Sequence, residues 1–221
     1  MYQLIKKIKN KYSLNGSRIE RKIKININQI NLFKDYFYTL GFFKKYPDQT
    51  VESIYFDDKN LNFAKSNING DLYRVKPRIR WYNNNSDKLN HEFKIKIGFN
   101  GFKSILDNIH SNALSFQDKI KLTKKFYNDE FNIDLSEVIS IKYNRSYFQH
   151  SSGLRMTIDK NIISKKINSN RYFLMPYEVI EFKYSNHIDE FFRKNIYNKF
   201  FSLPLRMTKC SKYVESLIRL I

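Results

Sequence analysis

The stretch DLYRVKPRIRWY, residues 71–82, places a basic side chain at every second position four times in succession. Successive side chains of an extended strand point to opposite faces, so the four basic groups lie in one row, about 7 Å apart. They are Arg74, Lys76, Arg78 and Arg80. Because like charges side by side in a sheet are unfavourable, this row requires a counter-charge.

The same alternation recurs elsewhere and predicts about seven strands. The other strand segments are residues 18–27, 91–98, 139–148, 154–161 and 179–185, with residues 51–58 as a further candidate. Their polar faces consist mainly of Arg and Lys. Residues 82–90, YNNNSDKLN, have the composition of a hairpin turn.

Apolar residues at steps of three and four predict helices over residues 28–43, 115–127, 187–201 and 211–221, with Gly41 as a stop for the first. The fold class is therefore α+β, with an antiparallel sheet and several packing helices. If the strands close into a barrel, the basic faces turn inward and the helices cover the apolar outside. Isolated buried cations are costly, so such a basic tunnel has to be hydrated or occupied by an anion.

Composition limits the alternatives. The chain has 221 residues, 42% of them hydrophobic, and we expect a single domain over residues 1–221, with residues 1–16 as a short N-terminal extension. A formal net charge of +19 favours polyanionic partners. The lone Cys210 excludes an internal disulfide framework and suits a reducing, cytoplasmic location. No apolar run approaches the roughly 18 residues of a membrane span, so none is expected.

Nine short motifs, in chain order, resemble the VTC domain, the polyphosphate polymerase module of vacuolar transporter chaperone complexes and of shorter bacterial proteins. They are RIERK (18–22), SIYFDD (53–58), RVKPRIRWY (74–82), EFKIK (92–96), GFKS (101–104), YNRSYF (143–148), LRMTIDKN (154–161), VIEFK (179–183) and KCSKY (209–213). That family belongs to the triphosphate tunnel metalloenzymes, whose eight-stranded antiparallel barrel encloses a tunnel. Sister families begin E-x-E-x-K, whereas this chain has Arg18 at the first Glu position. Pro77 also departs from the family pattern and predicts an edge position or a bulge.

The resemblance implies a set of site residues on these motifs. The implied catalytic residues, which cradle the transferred triphosphate or orient its acceptor, are Lys22, Arg78, Arg80, Lys94, Arg145 and Arg155. The further phosphate-binding residues are Lys103, Tyr143, Lys183, Lys209, Ser211 and Lys212. Glu181 matches the family's metal-binding glutamate. The acidic residues Glu20, Glu92 and Asp159 share the inward parity and serve either as further metal ligands or as ion-pair partners of the basic row.

The implied function is a polyphosphate polymerase that transfers the γ-phosphoryl group of ATP to a growing chain with the help of Mn²⁺ or Mg²⁺. Phosphoryl transfer needs positioning, charge neutralisation and a metal more than covalent chemistry, which suits a basic row. One alternative is a tripolyphosphatase or nucleoside triphosphatase of the same fold. The other is a non-enzymatic domain that binds polyanions or nucleic acid, whose affinity falls steeply with salt.

Overall fold

The computed structural model describes residues 1–12, 14–106, 114–200 and 206–220. Nine strands are found in these ranges: β1 (Asn15–Ile25), β2 (Phe42–Asp57), β3 (Tyr73–Tyr82), β4 (Asn85–Ile97), β5 (Asn100–Leu106), β6 (Ser136–His150), β7 (Arg155–Lys166), β8 (Tyr172–Leu174) and β9 (Glu178–Tyr184). The helices in the same ranges are α1 (Tyr2–Lys11), α2 (Ile30–Thr39), α3 (Asn62–Asn69), α4 (Phe116–Phe131), α5 (Asp189–Phe191) and α6 (Lys212–Leu220).

The strands form one closed, antiparallel ring. Their order is β6, β2, β3, β4, β5, β1, β9, β7, and a pairing between β6 and β7 completes the circle. The short strand β8 pairs with the end of β7. The predicted antiparallel architecture of about eight strands flanked by helices is confirmed.

The two faces of the ring have opposite chemistry. On β3 the residues Val75, Ile79 and Trp81 belong to an apolar cluster with α1 and α4, whereas Arg78 and Arg80 lie on the inner face. A second apolar cluster packs α2 and Phe192 against the outside of β1, β7 and β9. The helices therefore cover the outside of the ring and leave the charged side chains inside.

The terminal helix α6 is placed differently, because it packs against inward-facing residues at one end of the ring. Tyr213 stacks on Tyr55, with ring centroids 5.0 Å apart and planes 7° from parallel. The Tyr213 hydroxyl donates to Asp57 at 2.5 Å, and Asp57 also accepts from the backbone N–H groups of Phe63 and Ala64 in α3. The helices α3 and α6 are thus joined at this end, here called the α6 end.

Several turns follow from local sequence. Asn83 and Asn84 both have positive φ, as a two-residue turn of type I′ requires, so the predicted β3–β4 hairpin turn is present but shorter than residues 82–90. Gly41 has a φ of 85° just after α2, as expected for a helix stop. Pro77 lies just beyond the last β2–β3 pair, Tyr55 with Arg78, and pairs in register with Phe93. Pro77 is therefore at an edge only on the side that faces β2, where the pairing ends at Arg78. On the side that faces β4 the register is regular, and no bulge is found at Pro77.

Other sequence predictions need correction. Residues 42 and 43 begin strand β2 instead of ending the first predicted helix, and β2 is longer than residues 51–58. The predicted helix over 187–201 is broken into 3-10 turns, the short α5 and a π-turn (Phe192–Tyr197). Its last residue, Phe201, and the last residue of the terminal helix, Ile221, lie outside the described residues. Within the described ranges, no helix has the length and apolarity to cross a membrane.

Candidate functional site

The ring encloses a charged cavity of about 180 Å³. Ten basic side chains and two carboxylates line it, together with tyrosines and a serine. The lining residues are Arg18, Lys22, Tyr55, Lys76, Arg78, Arg80, Tyr82, Glu92, Lys94, Lys103, Tyr143, Arg145, Glu181, Lys183, Ser211, Lys212 and Tyr213. Strand alternation explains the concentration of charge, because every second residue of each strand points into the ring.

The guanidinium groups of β3 are held by neighbouring strands. Arg78 Nε donates to Glu92 Oε2 at 2.8 Å, and Arg78 Nη1 donates to the Tyr55 hydroxyl at 3.2 Å. Arg80 donates to Ser53 Oγ at 2.9 Å and to the Tyr143 hydroxyl at 3.2 Å. Burial alone would lower the pKa of Arg78, but attraction by Glu92 outweighs it and raises that pKa. Both side chains are therefore charged and fixed in direction.

A third arginine, Arg145, is held across the β6–β7 pair. Arg145 Nε and Nη2 donate to the two carboxylate oxygens of Asp159 at 2.6 and 2.7 Å, a bidentate arrangement. Lys212 Nζ lies 2.5 Å from Asp159 Oδ2. Asp159 is fully buried, and although burial raises a carboxyl pKa, Arg145 and Lys212 hold the pKa of Asp159 well below its usual range. One carboxylate thus orients two cations at the cavity wall.

Lysines gather around two glutamates on β1 and β9, where Glu181 also lies 3.7 Å from Arg145 Nη2. Lys183 Nζ lies 2.8 Å from Glu181 Oε2, and Lys94 Nζ lies 2.7 Å from Glu20 Oε2. Lys22 Nζ donates to the carbonyl oxygen of Cys210 at 2.9 Å and lies 3.5 Å from Glu181 Oε1. Burial lowers the pKa of Lys183 to about 7 despite the nearby Glu181. The Lys183 ammonium is therefore less firmly charged than the arginines. Lys22 differs, because attraction by Glu181 and Glu20 outweighs the effect of its burial and raises the pKa of Lys22 above its usual value.

Lys76 joins the main cavity to a second one near the α6 end. Its Nζ donates to Ser211 Oγ at 2.7 Å, and burial together with Lys22 and Lys94 lowers its pKa well below 10.5. The second cavity, of about 110 Å³, shares Lys22, Lys76, Lys94 and Ser211 with the main one. Its other lining residues are Glu20, Asn67, Arg74, Lys96, Thr208, Lys209 and Cys210.

Glu181 fits the role of a metal ligand on chemical grounds. It is 4% exposed, and its Oε1 atom receives no hydrogen bond from the described part of the chain. Mg²⁺ is commonly bound by one or two carboxylates together with substrate phosphates, so a carboxylate oxygen on the cavity wall that accepts no hydrogen bond suits it, although Lys22 and Lys94 lie within 4 Å of this oxygen. Among the described residues, no group of three or more His, Cys, Asp or Glu could hold a metal alone.

Eleven of the thirteen predicted site residues line the main cavity. They are Lys22, Arg78, Arg80, Lys94, Lys103, Tyr143, Arg145, Glu181, Lys183, Ser211 and Lys212. Lys209 lines only the second cavity and donates to the carbonyl oxygen of Ile68 at 3.3 Å. Arg155 is exposed at the start of β7 and lines neither cavity.

Sequence reasoning also left lining residues out of the predicted site. These are Arg18, Tyr55, Lys76, Tyr82, Glu92 and Tyr213. Strand parity would have found Lys76 and Tyr82, because both share the row of Arg78 and Arg80. The carboxylates Glu20, Glu92 and Asp159 all make the ion pairs that were one of their two predicted roles.

The fold is shared with solved structures. A putative adenylyl cyclase from Hippeastrum, described as having a dominant triphosphatase activity, is similar with a TM-score of 0.57 and 13% identity, covering 92% of this chain and 97% of its own. A putative adenylate cyclase from Vibrio parahaemolyticus has a TM-score of 0.54 at 10% identity, with 91% and 99% covered. A conserved hypothetical protein from Pyrococcus furiosus has a TM-score of 0.54 at 14% identity, with 90% and 99% covered. These likenesses define a tunnel fold.

Sequence comparison identifies the family within that fold. A family model for the VTC domain matches residues 9–221, nearly the whole chain. The chain belongs to the VTC domain family. Comparison with curated proteins gives no match.

Proposed function

We propose that the protein is a metal-dependent polyphosphate polymerase that transfers the γ-phosphoryl group of ATP to a growing polyphosphate chain. The observation that carries this proposal is the single cavity with ten basic side chains and two carboxylates. Two further carboxylates, Glu20 and Asp159, lie just behind this lining and pair with Lys94 and Arg145. A large excess of positive charge remains, and a chain of phosphates supplies the charge that balances it.

The arginines cradle the triphosphate. Arg78, Arg80 and Arg145 are each less than 9% exposed and are oriented by Glu92, Ser53 and Asp159. A planar guanidinium grips two phosphate oxygens at once, so these groups define where the transferred phosphoryl lies. Lys94, Lys103 and Lys183 on other strands and Lys212 at the start of α6 neutralise the remaining charge, and Tyr143 holds Arg80. Arg155, exposed at the mouth, attracts the polyanion and makes no contact inside the cavity.

The chemistry needs no side-chain nucleophile. A terminal oxygen of the acceptor phosphate attacks the γ-phosphorus of ATP and forms a new P–O bond. The bond from the γ-phosphorus to the bridging β,γ-oxygen breaks, and its electron pair leaves with ADP. Charge accumulates on the transferred group, where fixed cations stabilise it without reorganisation.

Glu181 is the proposed ligand for Mn²⁺ or Mg²⁺. When bound, the metal neutralises phosphate oxygens and polarises the transferred group. The protein's own part is to present the Oε1 atom of Glu181, which accepts no hydrogen bond in the described part of the chain, beside Lys22 and Lys183, so that a phosphate held by these lysines lies next to the carboxylate.

The acceptor chain lies in the second cavity in this proposal. Lys22, Lys76 and Ser211 line both cavities, so a polyphosphate can contact them while its end reaches the main cavity. Lys96 and Lys209 line the second cavity only and hold the chain beyond that junction. Growth of the chain then proceeds toward the α6 end.

A triphosphatase is the second candidate. It is favoured by the shared fold of the Hippeastrum protein with its described triphosphatase activity. In that case water replaces the acceptor phosphate, and the same basic wall binds the substrate.

Incubation with ATP and Mn²⁺ separates the two. A ladder of long chains on a gel supports polymerisation, whereas orthophosphate as the sole product contradicts it. Glu181→Gln should abolish the ladder. Glu178→Gln is the matched control, because Glu178 is a buried glutamate on the same strand that lines neither cavity.

A further inference from the structure

The mouth of the main cavity, at the end opposite α6, carries aromatic side chains in addition to Arg155. Tyr82 lines the cavity at the end of β3, six residues beyond Lys76, which corresponds to about 20 Å along the strand. Tyr147 on β6 lies two inward-facing positions beyond Tyr143 and pairs with Thr157. Its hydroxyl donates to Gln49 Oε1 at 2.9 Å, and its ring meets that of Tyr46 edge-on at 6.0 Å. Both Tyr82 and Tyr147 are partly exposed.

The two tyrosines repeat one local pattern on the two strands that flank β2. Residues 80–82 read Arg-Trp-Tyr, and residues 145–147 read Arg-Ser-Tyr. Each tyrosine therefore lies one inward-facing step, about 7 Å, from a buried arginine toward the mouth. Val51 of β2 pairs with Tyr82 on one side and with Tyr143 on the other, so Tyr82 lies two strands from Tyr143 and the mouth-side residue Tyr147 follows on the same strand as Tyr143. The wall thus changes from phosphate-binding cations to aromatic rings within one step.

The volume of the main cavity limits how much of a nucleotide it can hold. Sites that enclose drug-sized ligands have volumes of about 300–1,000 Å³. The main cavity, at about 180 Å³, accommodates phosphates but not a whole nucleotide. When the phosphates of a nucleoside triphosphate contact Arg80 and Arg145, the ribose and base remain at the mouth, beside Tyr82 and Tyr147.

We propose that Tyr82 and Tyr147 form a nucleobase-binding site at the mouth, at which the base of the donor nucleotide stacks. This inference rests on the proposed use of a nucleoside triphosphate donor and adds how the donor is distinguished from inorganic tripolyphosphate. Every base has a π-face, so stacking tolerates different bases. The site therefore selects nucleoside triphosphates as a class, with purines bound more tightly than pyrimidines because their larger rings stack over more area.

The test compares two ligands that share the triphosphate. Binding of ATP and of inorganic tripolyphosphate is measured by calorimetry in buffer containing EDTA. Tyr82→Ala should weaken ATP binding about tenfold and leave tripolyphosphate binding within about twofold. Tyr82→Phe, which keeps the ring, should restore ATP binding. Tyr172→Ala is the matched control, because Tyr172 is 73% exposed on β8, away from the cavity.

Two results would overturn the proposal: equal losses for both ligands in Tyr82→Ala, or no loss for ATP. If Tyr82→Ala does not fold, as judged by circular dichroism, Tyr147→Leu on the other wall is compared with the wild type in the same way. The outcome is independent of polymerisation. Selective loss of ATP binding with no chain growth would contradict the polymerase alone, and chain growth with unselective binding would contradict the nucleobase site alone.

Discussion

The arginines of the cavity differ from Lys76 in how their buried charge is compensated. Arg78 and Arg145 each have a buried carboxylate partner, Glu92 or Asp159, and their pKa values are raised. Lys76 has a serine hydroxyl as its partner in the cavity, and its pKa is lowered by burial and by nearby lysines. The comparison teaches that arginines held by a buried carboxylate are permanently charged anchors, whereas Lys76, held by a hydroxyl, gains full charge when an anion arrives. Lys22 and Lys212, which lie near Glu181 and Asp159, resemble the arginines in having raised pKa values.

The largest effect is expected from removing an anchor. Arg145→Met leaves Asp159 buried with Lys212 as its remaining cation. Breaking a buried pair by removing one partner costs about 3–5 kcal/mol of unfolding free energy. Urea denaturation measures this loss. Arg155→Met, which removes an exposed arginine from β7, should cost less than about 0.5 kcal/mol. Similar small losses in both variants would contradict the assignment of Arg145 as an anchor.

A double-mutant cycle sharpens the same point. Arg78→Met and Glu92→Met should each destabilise the protein, because each leaves its partner's charge buried. The double variant should recover about 2–3 kcal/mol relative to the sum of the two losses, since an apolar pair often replaces a buried ion pair without net cost. Urea midpoints and slopes of the four proteins give the coupling energy. Purely additive losses would show that the two side chains do not act as a pair.

Removal of Lys76 should have the opposite effect on stability from removal of an arginine anchor. Lys76→Met should leave the stability of the empty protein unchanged or raise it by about 1 kcal/mol, because it removes a poorly compensated buried amine. The same change should weaken tripolyphosphate binding about tenfold through loss of a charge-assisted hydrogen bond. Calorimetry and urea denaturation together test both parts. Lys59→Met, an exposed lysine, should change neither, and strong destabilisation by Lys76→Met would refute the contrast.

The smallest expected effect is a dependence on pH. Burial lowers the pKa of Lys96 to about 8, below the usual lysine value of 10.5. The unfolded chain therefore binds more protons between pH 8 and 10.5, so this lysine makes the empty protein more stable as pH rises through that window. A bound anion favours the charged form, so tripolyphosphate binding at pH 8 should take up protons and weaken as pH rises. Calorimetry in two buffers of different ionisation enthalpy measures the uptake, and its absence would contradict this reading.

The sequence alone predicts much of where the basic side chains lie. Alternation along β3 and β4 predicted which face carries Arg80 and Lys94, because side-chain direction is a local property of an extended chain. The sequence did not predict that Arg78 forms an ion pair with Glu92, because that contact depends on the register between strands. The contact of Lys76 with Ser211 joins residues 135 positions apart and depends on α6 entering the ring. Strand alternation predicts the face of the sheet on which a side chain lies, but it does not predict which partner that side chain contacts.

The missed elements have similar causes. Helix α1 lies in the segment 1–16 that was interpreted as an extension, yet Ile5 and Ile8 are buried against the sheet. Helix α3 is only eight residues long, too short for apolar periodicity to be evident, and its first turn is held by Asp57, which accepts from two of its N–H groups. Both depend on tertiary contacts more than on intrinsic helix propensity.

The most direct test of the central claim, that the ring interior is a polyphosphate site, is a competition experiment. A fluorescent oligonucleotide is bound to the protein, and inorganic tripolyphosphate is added to the wild type and to Arg80→Ala at fixed salt. The account predicts that tripolyphosphate displaces the oligonucleotide from the wild type and that Arg80→Ala greatly weakens this displacement. If tripolyphosphate fails to displace the oligonucleotide, or Arg80→Ala behaves as the wild type does, the positive charge serves nonspecific polyanion binding and the claim is wrong.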